Sequence, residues 1–179
     1  MQHIIFRKAN ETDARALYYL MKDTGYIRFY NNGNEKEVVP QIINDFFASE
    51  KKSVVIVCEM DCTKGKECIN NKRIIGYSMY GSYSMYRKLT FPKDSGNYAY
   101  SRGTGVHSDF RNKGLGKKLR IYADMSSKKM GYNGMYTDVA TDNKASLRVQ
   151  EECGFKIIET VDDPKRAEGI KSVIFKKEF

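Results

Sequence analysis

The sequence predicts an α/β fold: one domain with a mixed antiparallel and parallel central sheet of about seven strands, flanked by about four helices. Three observations predict it. Short apolar runs rich in β-branched residues alternate with segments whose apolar residues recur every three or four positions. The first two long runs are separated only by a polar loop, which favours antiparallel pairing, whereas later runs are separated by helical segments, which favour parallel pairing. The composition is that of an ordinary globular domain: 179 residues, 41% hydrophobic, 30% charged and three prolines, well outside the disordered classes.

In chain order, residues 3–8 (His3 to Lys8) form a first strand, and Asn10 is suited to cap the helix that follows, whose buried stripe is Leu17, Leu20 and Met21. A turn over 25–34 leads to a second helix with Val38, Ile42, Ile43, Phe46 and Phe47 at helical spacing. Residues 53–59 are apolar and β-branched, the mark of a buried strand. The polar stretch 61–72 separates this run from 73–83 as the loop of an antiparallel hairpin. After a loop over 87–96 come a strand at 98–107 and a helix at 114–130, with Leu115, Leu119, Tyr122 and Ala123 inward and Gly131 ending it. The remainder reads as a strand (134–140), a short helix (144–152) and two strands (155–161 and 169–177).

Thirty-one Lys and Arg against 22 Asp and Glu give +9, a balance that suits polyanionic partners or a phosphate-rich ligand. No apolar window approaches membrane-spanning length and no secretory leader opens the chain, so a cytoplasmic protein with no membrane partner is expected. Cys58, Cys62 and Cys68 lie close together, but their spacing does not match a zinc knuckle and His107 is distant. No metal is expected, and the thiols are expected to be reduced. The basic residues are spread along the chain rather than gathered in a recognition element, which argues against nucleic acid.

The chemistry concentrates where the strand at 98–107 gives way to a basic turn and a glycine pair opens a helix: Arg111-Asn112-Lys113-Gly114-Leu115-Gly116-Lys117. Glycines let a ligand approach the backbone, and a helix N-terminus offers unsatisfied N–H groups with partial positive charge, so the segment is built to hold an anion such as a pyrophosphate. A P-loop is excluded because Gly116-Lys117 is followed by Lys118 and lacks the upstream glycine. The dinucleotide fingerprint lacks its third glycine, position 119 being Leu.

The Arg-x-x-Gly-x-Gly run at 111–116 resembles the acetyl-coenzyme A motif of the GNAT N-acetyltransferases. Asn143 to Phe155 is similar to the family's Asn-x-x-(Ala/Ser)…Gly-Phe segment, and Phe6 to Asp13 to its opening strand and helix. The resemblance implies an acetyl-CoA-dependent N-acetyltransferase whose central strands splay apart around the cosubstrate. Carried over by position, Thr104, Gly105 and Val106 would meet the pantetheine arm and thioester. Arg111, Asn112, Lys113, Gly114, Leu115, Gly116 and Lys117 would meet the pyrophosphate, and Asn143 with Ser146 the inner end of the arm. The acceptor would be a small-molecule or peptide amine, and a homodimer is conceivable from the family's habits.

The resemblance is weaker for proton transfer. Relatives that acetylate ribosomal-protein alanine use a glutamate five residues before the motif asparagine as base and a tyrosine seven residues after it as acid. Here these positions hold Asp138 and Gln150. Asp138 is the candidate base, through a bridging water, and Tyr136 the candidate acid, with Tyr100 and Tyr132 as further choices and solvent protonation of the thiolate as another. His107 adjoins the cradle as an alternative base, while Cys153 reads as a small core residue. Tyr26, Phe29, Tyr30, Tyr80, Tyr83 and Tyr86 are candidates for an acceptor pocket. The same fold could bind acyl-CoA for sensing without turnover. The sequence names neither the acceptor, nor the oligomeric state, nor a role for Cys58, Cys62 and Cys68.

Overall fold

A computed structural model describes residues 4–48, 53–63, 65, 68–83, 96–163 and 167–179, with all side chains there except those of Phe29 and Ile69. The strands are β1 (Ile4–Lys8), β2 (Val54–Asp61), β3 (Cys68–Ile69), β4 (Lys72–Ser82), β5 (Tyr98–Val106), β6 (Gly134–Ala140), β7 (Lys156–Asp162) and β8 (Lys171–Glu178). The α-helices among the described residues are α1 (Ala14–Asp23), α2 (Glu35–Phe46), α3 (Leu115–Lys129) and α4 (Lys144–Glu152). Sheet order is β1-β2-β4-β5-β6-β8-β7, with β3 paired to β4 off this path. Every pairing is antiparallel except β5 with β6, the mixed sheet the sequence predicts. His3, Tyr86 and the loop 87–95 lie outside the described residues.

Local chemistry accounts for the helix starts. Asn10 forms a capping box with Asp13 around a 3-10 turn (Glu11–Asp13), so α1 itself begins at Ala14. Asn34 and Glu37 make a second box that starts α2. Helices α1 and α2 bury Leu17, Leu20, Met21, Val38, Ile42 and Phe46 against Val55, Val57, Tyr77 and Met79 on one face of the sheet. On the other face, α3 lays Leu115, Leu119 and Ala123 on Ile56, Cys58, Ile75 and Met135. Each such side chain stabilises by about 1.5–3 kcal/mol when fully buried. At Gly76 on β4 a methyl group would come within 2.8 Å of Leu119 Cδ1 and Cys58 Sγ, so the glycine sets how closely α3 seats on the sheet.

Two expectations are corrected. Cys62 and Cys68 are disulfide-bonded rather than reduced: pairing of β3 with β4, beside β2, brings their Cα atoms to 5.9 Å, within bridging range. Cys58 and Cys153 are free and buried. Tyr122 is 43% exposed, its ring stacked on Phe6 at 4.7 Å, and the inward position beside Leu119 belongs to Arg120, at 0% exposure. Arg120 survives burial through Asp124 one turn on (Nη2 to Oδ1 3.0 Å), which also pairs with Lys177 at 2.8 Å. β7 is the sheet's edge strand, and its Ile157 and Ile158 side chains are exposed. No helix among the described residues is long and apolar enough to cross a membrane.

Candidate active site

The site begins where two strands part. β5 and β6 pair only through Tyr98–Tyr100 with Gly134–Tyr136, although β5 continues to Val106 and β6 to Ala140. Beyond Tyr100 the strands diverge, and residues 101–106 present a sheet edge without a β6 partner, a row of backbone groups suited to a ligand that lies along it. Thr104, Gly105 and Val106 sit on that edge, still paired to β4 on its other side. A methyl group at position 105 would come within 2.7 Å of the Tyr77 ring, and one at 103 within 3.2 Å of Tyr26, so these glycines admit two tyrosines against β5. Tyr26 and Tyr77 meet edge to face at 6.0 Å, and the Tyr77 hydroxyl lies 3.0 Å from Thr24 Oγ1.

From Val106 the chain makes a 3-10 turn (Ser108–Phe110) and then a loop in which Asn112 (φ 60) and Gly114 (φ 74) both take the left-handed conformation. Alternation of left-handed with ordinary residues is a backbone pattern able to turn successive amides toward one side, as in anion-binding concavities. Among the described residues, none of the amides of Asn112, Lys113, Gly114, Leu115, Gly116 and Lys117 has a protein acceptor; the first helical bond runs from the Lys118 amide to the Gly114 carbonyl. At Gly116 a methyl group would touch only Val106 Cγ2, at 3.9 Å. The protein's own packing therefore does not require glycine there, and the space in front of α3 at this position is open.

The basic side chains of this segment are less free than its amides. Arg111 folds back, Nε donating to the Val106 carbonyl at 3.1 Å. Lys113 donates to the Asp109 carbonyl at 3.0 Å, and Lys117 pairs with Glu152 at 3.0 Å, holding α3 to α4. Asn143 caps α4, its Oδ1 accepting from the Ser146 amide at 3.1 Å. His107 is buried, with Nε2 2.6 Å from Arg73 Nη2 and Nδ1 3.3 Å from the Asp109 amide, so both ring nitrogens are engaged.

At the floor of the cleft the Tyr100 hydroxyl donates to Asp138 Oδ1 in a short hydrogen bond, and Ser172 Oγ lies 3.4 Å from Asp138 Oδ2. Burial, and then the Asp138 carboxylate, hold the Tyr100 phenol well above the usual range. Thus the structure brings together Asp138 and Tyr100. Tyr136 is buried, stacked on Tyr83 (4.6 Å) and edge to face with Tyr98 (5.3 Å). Tyr132 belongs to the core on the α3 face, as does Tyr80, whose hydroxyl, pushed up to about 12 by burial, donates to Ser126. Gln150 is 5% exposed and its Oε1 has no partner among the described residues. Tyr30 is buried and donates to Asp45, and among the described pocket aromatics Tyr26 and Tyr83 border the parted strands. Asp23 and Arg73, which approach His107, were not legible in the sequence: nothing local marks residues brought together from 34 or more positions away.

A family model for the acetyltransferase (GNAT) family matches residues 28–155. No curated protein matches by sequence. Among solved structures, Arabidopsis thaliana NAA60 in complex with acetyl-CoA superimposes with a TM-score of 0.71 at 18% identity, covering 99% of each chain. An N-acetyltransferase from Staphylococcus aureus Mu50 gives 0.71 at 14% identity over 98% of each, and a GNAT-family acetyltransferase from Streptococcus pneumoniae 0.69 at 16% over 99% of each. At such identities these likenesses establish the shared fold.

Proposed function

Because the chain belongs to the GNAT acetyltransferase family, we propose that it acts as one catalytic domain and transfers the acetyl group of acetyl-CoA to a primary amine by direct attack in a ternary complex. The observation that carries this reading is the row of six open amides at residues 112–117. When bound, acetyl-CoA supplies an acyl thioester open to an amine. The open amides, the α3 N-terminus and the nearby Lys113 and Lys117 hold its diphosphate, each favourable helix-terminus contact contributing about 0.3–1 kcal/mol. The free edge of β5 at Thr104, Gly105 and Val106 lines up the arm.

Only the free base of the acceptor has a lone pair to attack with. For a lysine-like amine deprotonation at neutral pH costs about 4–5 kcal/mol, for an α-amino group about 1 kcal/mol. We assign that proton to Asp138 through a water, with Tyr100 holding the carboxylate in place. Tyr136, packed among tyrosines, belongs to the acceptor wall, and Gln150 has no acidic proton, so the departing sulfur is protonated by solvent. A covalent acetyl-enzyme is disfavoured: burial pushes the Cys58 thiol up to about 12 and raises Cys153 as well, opposite to an activated nucleophile.

Calorimetric titration with acetyl-CoA, followed by free-thiol release over a panel of small amines and peptide N-termini, tests the reading. Binding with amine-dependent thiol release is expected. Absence of binding overturns it, and binding without release from any amine leaves an acyl-CoA sensor in its place.

A further inference from the structure

The turn that feeds the amide cradle is tied to α1 by one carboxylate. Asp23, the last residue of α1, accepts from the Ser108 amide through Oδ2 and from the Ser108 hydroxyl through Oδ1, both at 2.8 Å. Arg111 Nη2 lies 3.7 Å from Asp23 Oδ2, and His107 Nε2 3.8 Å from Oδ1. Arg111 in turn holds the Val106 carbonyl, so Asp23, Arg111 and Val106 form a continuous brace from α1 to the end of β5. The next residue, Thr24, contacts the Tyr77 hydroxyl, and Tyr26 packs at Gly103, so the same stretch of chain also borders the cleft.

Asp23 is not needed to hold α1 on the sheet. Leu17, Leu20 and Met21 are almost completely buried in the core and do that. The carboxylate's hydrogen bonds therefore act on residues 108–111 rather than on the helix. The side chain is 21% exposed. Burial works against its charge, but the two Ser108 hydrogen bonds, His107 and Arg111 outweigh burial and lower its pKa.

We propose that Asp23 is a positioning residue for the cosubstrate: by holding Ser108 and Arg111 it fixes the cradle amides relative to the end of β5, so that diphosphate and thioester are held at the right separation. It touches neither the reacting atoms nor the ligand, and it acts on affinity rather than on the chemical step. This inference rests on the acetyltransferase reading.

Coenzyme A binding by calorimetry and steady-state kinetics with acetyl-CoA are measured on the wild type, Asp23→Ala, Asp23→Asn, Ser108→Ala and the Asp23→Ala/Ser108→Ala double variant. Asp23→Ala is expected to raise Kd for coenzyme A and KM for acetyl-CoA about tenfold, with kcat within about twofold, since hydrogen bonds to a charged group are lost outside the reacting centre. Asp23→Asn, which keeps an acceptor for Ser108, recovers part of the loss. The double variant is no worse than Asp23→Ala, because the two residues act as one unit. A fall in kcat without a change in KM, or Kd values equal to the wild type, overturns the proposal. Should Asp23→Ala fail to fold, Asp23→Asn and Ser108→Ala decide: raised Kd in both supports the brace, wild-type Kd in both overturns it. Wild-type protein that does not bind coenzyme A overturns the acetyltransferase reading itself, a result read before any variant is compared.

Discussion

The cradle at residues 107–117 and the cleft floor at Tyr100 and Asp138 both attach to β5, yet they are built by different means. The cradle is a continuous piece of chain whose backbone would do the binding: two left-handed residues, two glycines and a helix start. The floor is assembled from β5, β6 and β8, and its chemistry resides in side chains, Tyr100 on Asp138 with Ser172 close by. A backbone device depends on conformation and survives many side-chain changes. A side-chain device depends on which strand lies beside which. The first should govern affinity for the cosubstrate, and the second turnover.

The largest separation of the two comes from Gly116→Glu. The new side chain projects into the open space before α3 and sets a carboxylate where the diphosphate would lie, losing the amide contacts and adding like-charge repulsion. Affinity for acetyl-CoA is expected to fall by about 100-fold or more in a calorimetric titration. The melting temperature should hardly move, because position 116 has no crowded neighbour. Unchanged affinity would break the assignment of the cradle.

Next in size is Asp138→Asn, which should leave the Kd for acetyl-CoA unaltered and lower kcat by about 100-fold for lysine-like acceptors. For an α-amino acceptor, already largely deprotonated near pH 8, the loss should be smaller, and raising the pH should recover activity because the solvent then takes the proton. Equal losses for both acceptor types at all pH values would assign Asp138 to structure instead. Tyr100→Phe is expected to act in the same direction but by only about fivefold on kcat, the value of one hydrogen bond of roughly 1 kcal/mol.

This contrast also explains what the sequence discloses. The strand, turn and helix at 98–130 and the anion cradle are read from contiguous residues, because glycine spacing and helix starts are local physics. The partition at the floor is not. That Asp138 meets Tyr100 rather than Tyr136 or Tyr132 depends on the β5–β6 pairing ending at Tyr100 and Tyr136, which no local pattern reveals. Tyr122 is exposed and Arg120 buried for a similar reason: an arginine reads as surface until Lys177, from β8, joins Asp124 one helical turn on beside it. The disulfide follows the same rule, since spacing alone does not say that β3 and β4 will fold Cys68 back to Cys62.

Asn143 gives the smallest and most diagnostic effect. Family resemblance puts it beside the cosubstrate, whereas in the structure its side chain caps α4 through the Ser146 amide. Cap removal costs about 1 kcal/mol, which in a chain of this size corresponds to a melting temperature lower by roughly 2–4 °C. If capping is its work, Asn143→Ala shows that shift with Kd for acetyl-CoA changed by less than about threefold, and Asn143→Ser, itself a good cap, restores the melting temperature. If the amide instead contacts the arm, the affinity loss exceeds threefold and serine does not rescue it. The first outcome confines cosubstrate recognition on this side of the cleft to backbone groups; the second extends the side-chain machinery of the floor into α4.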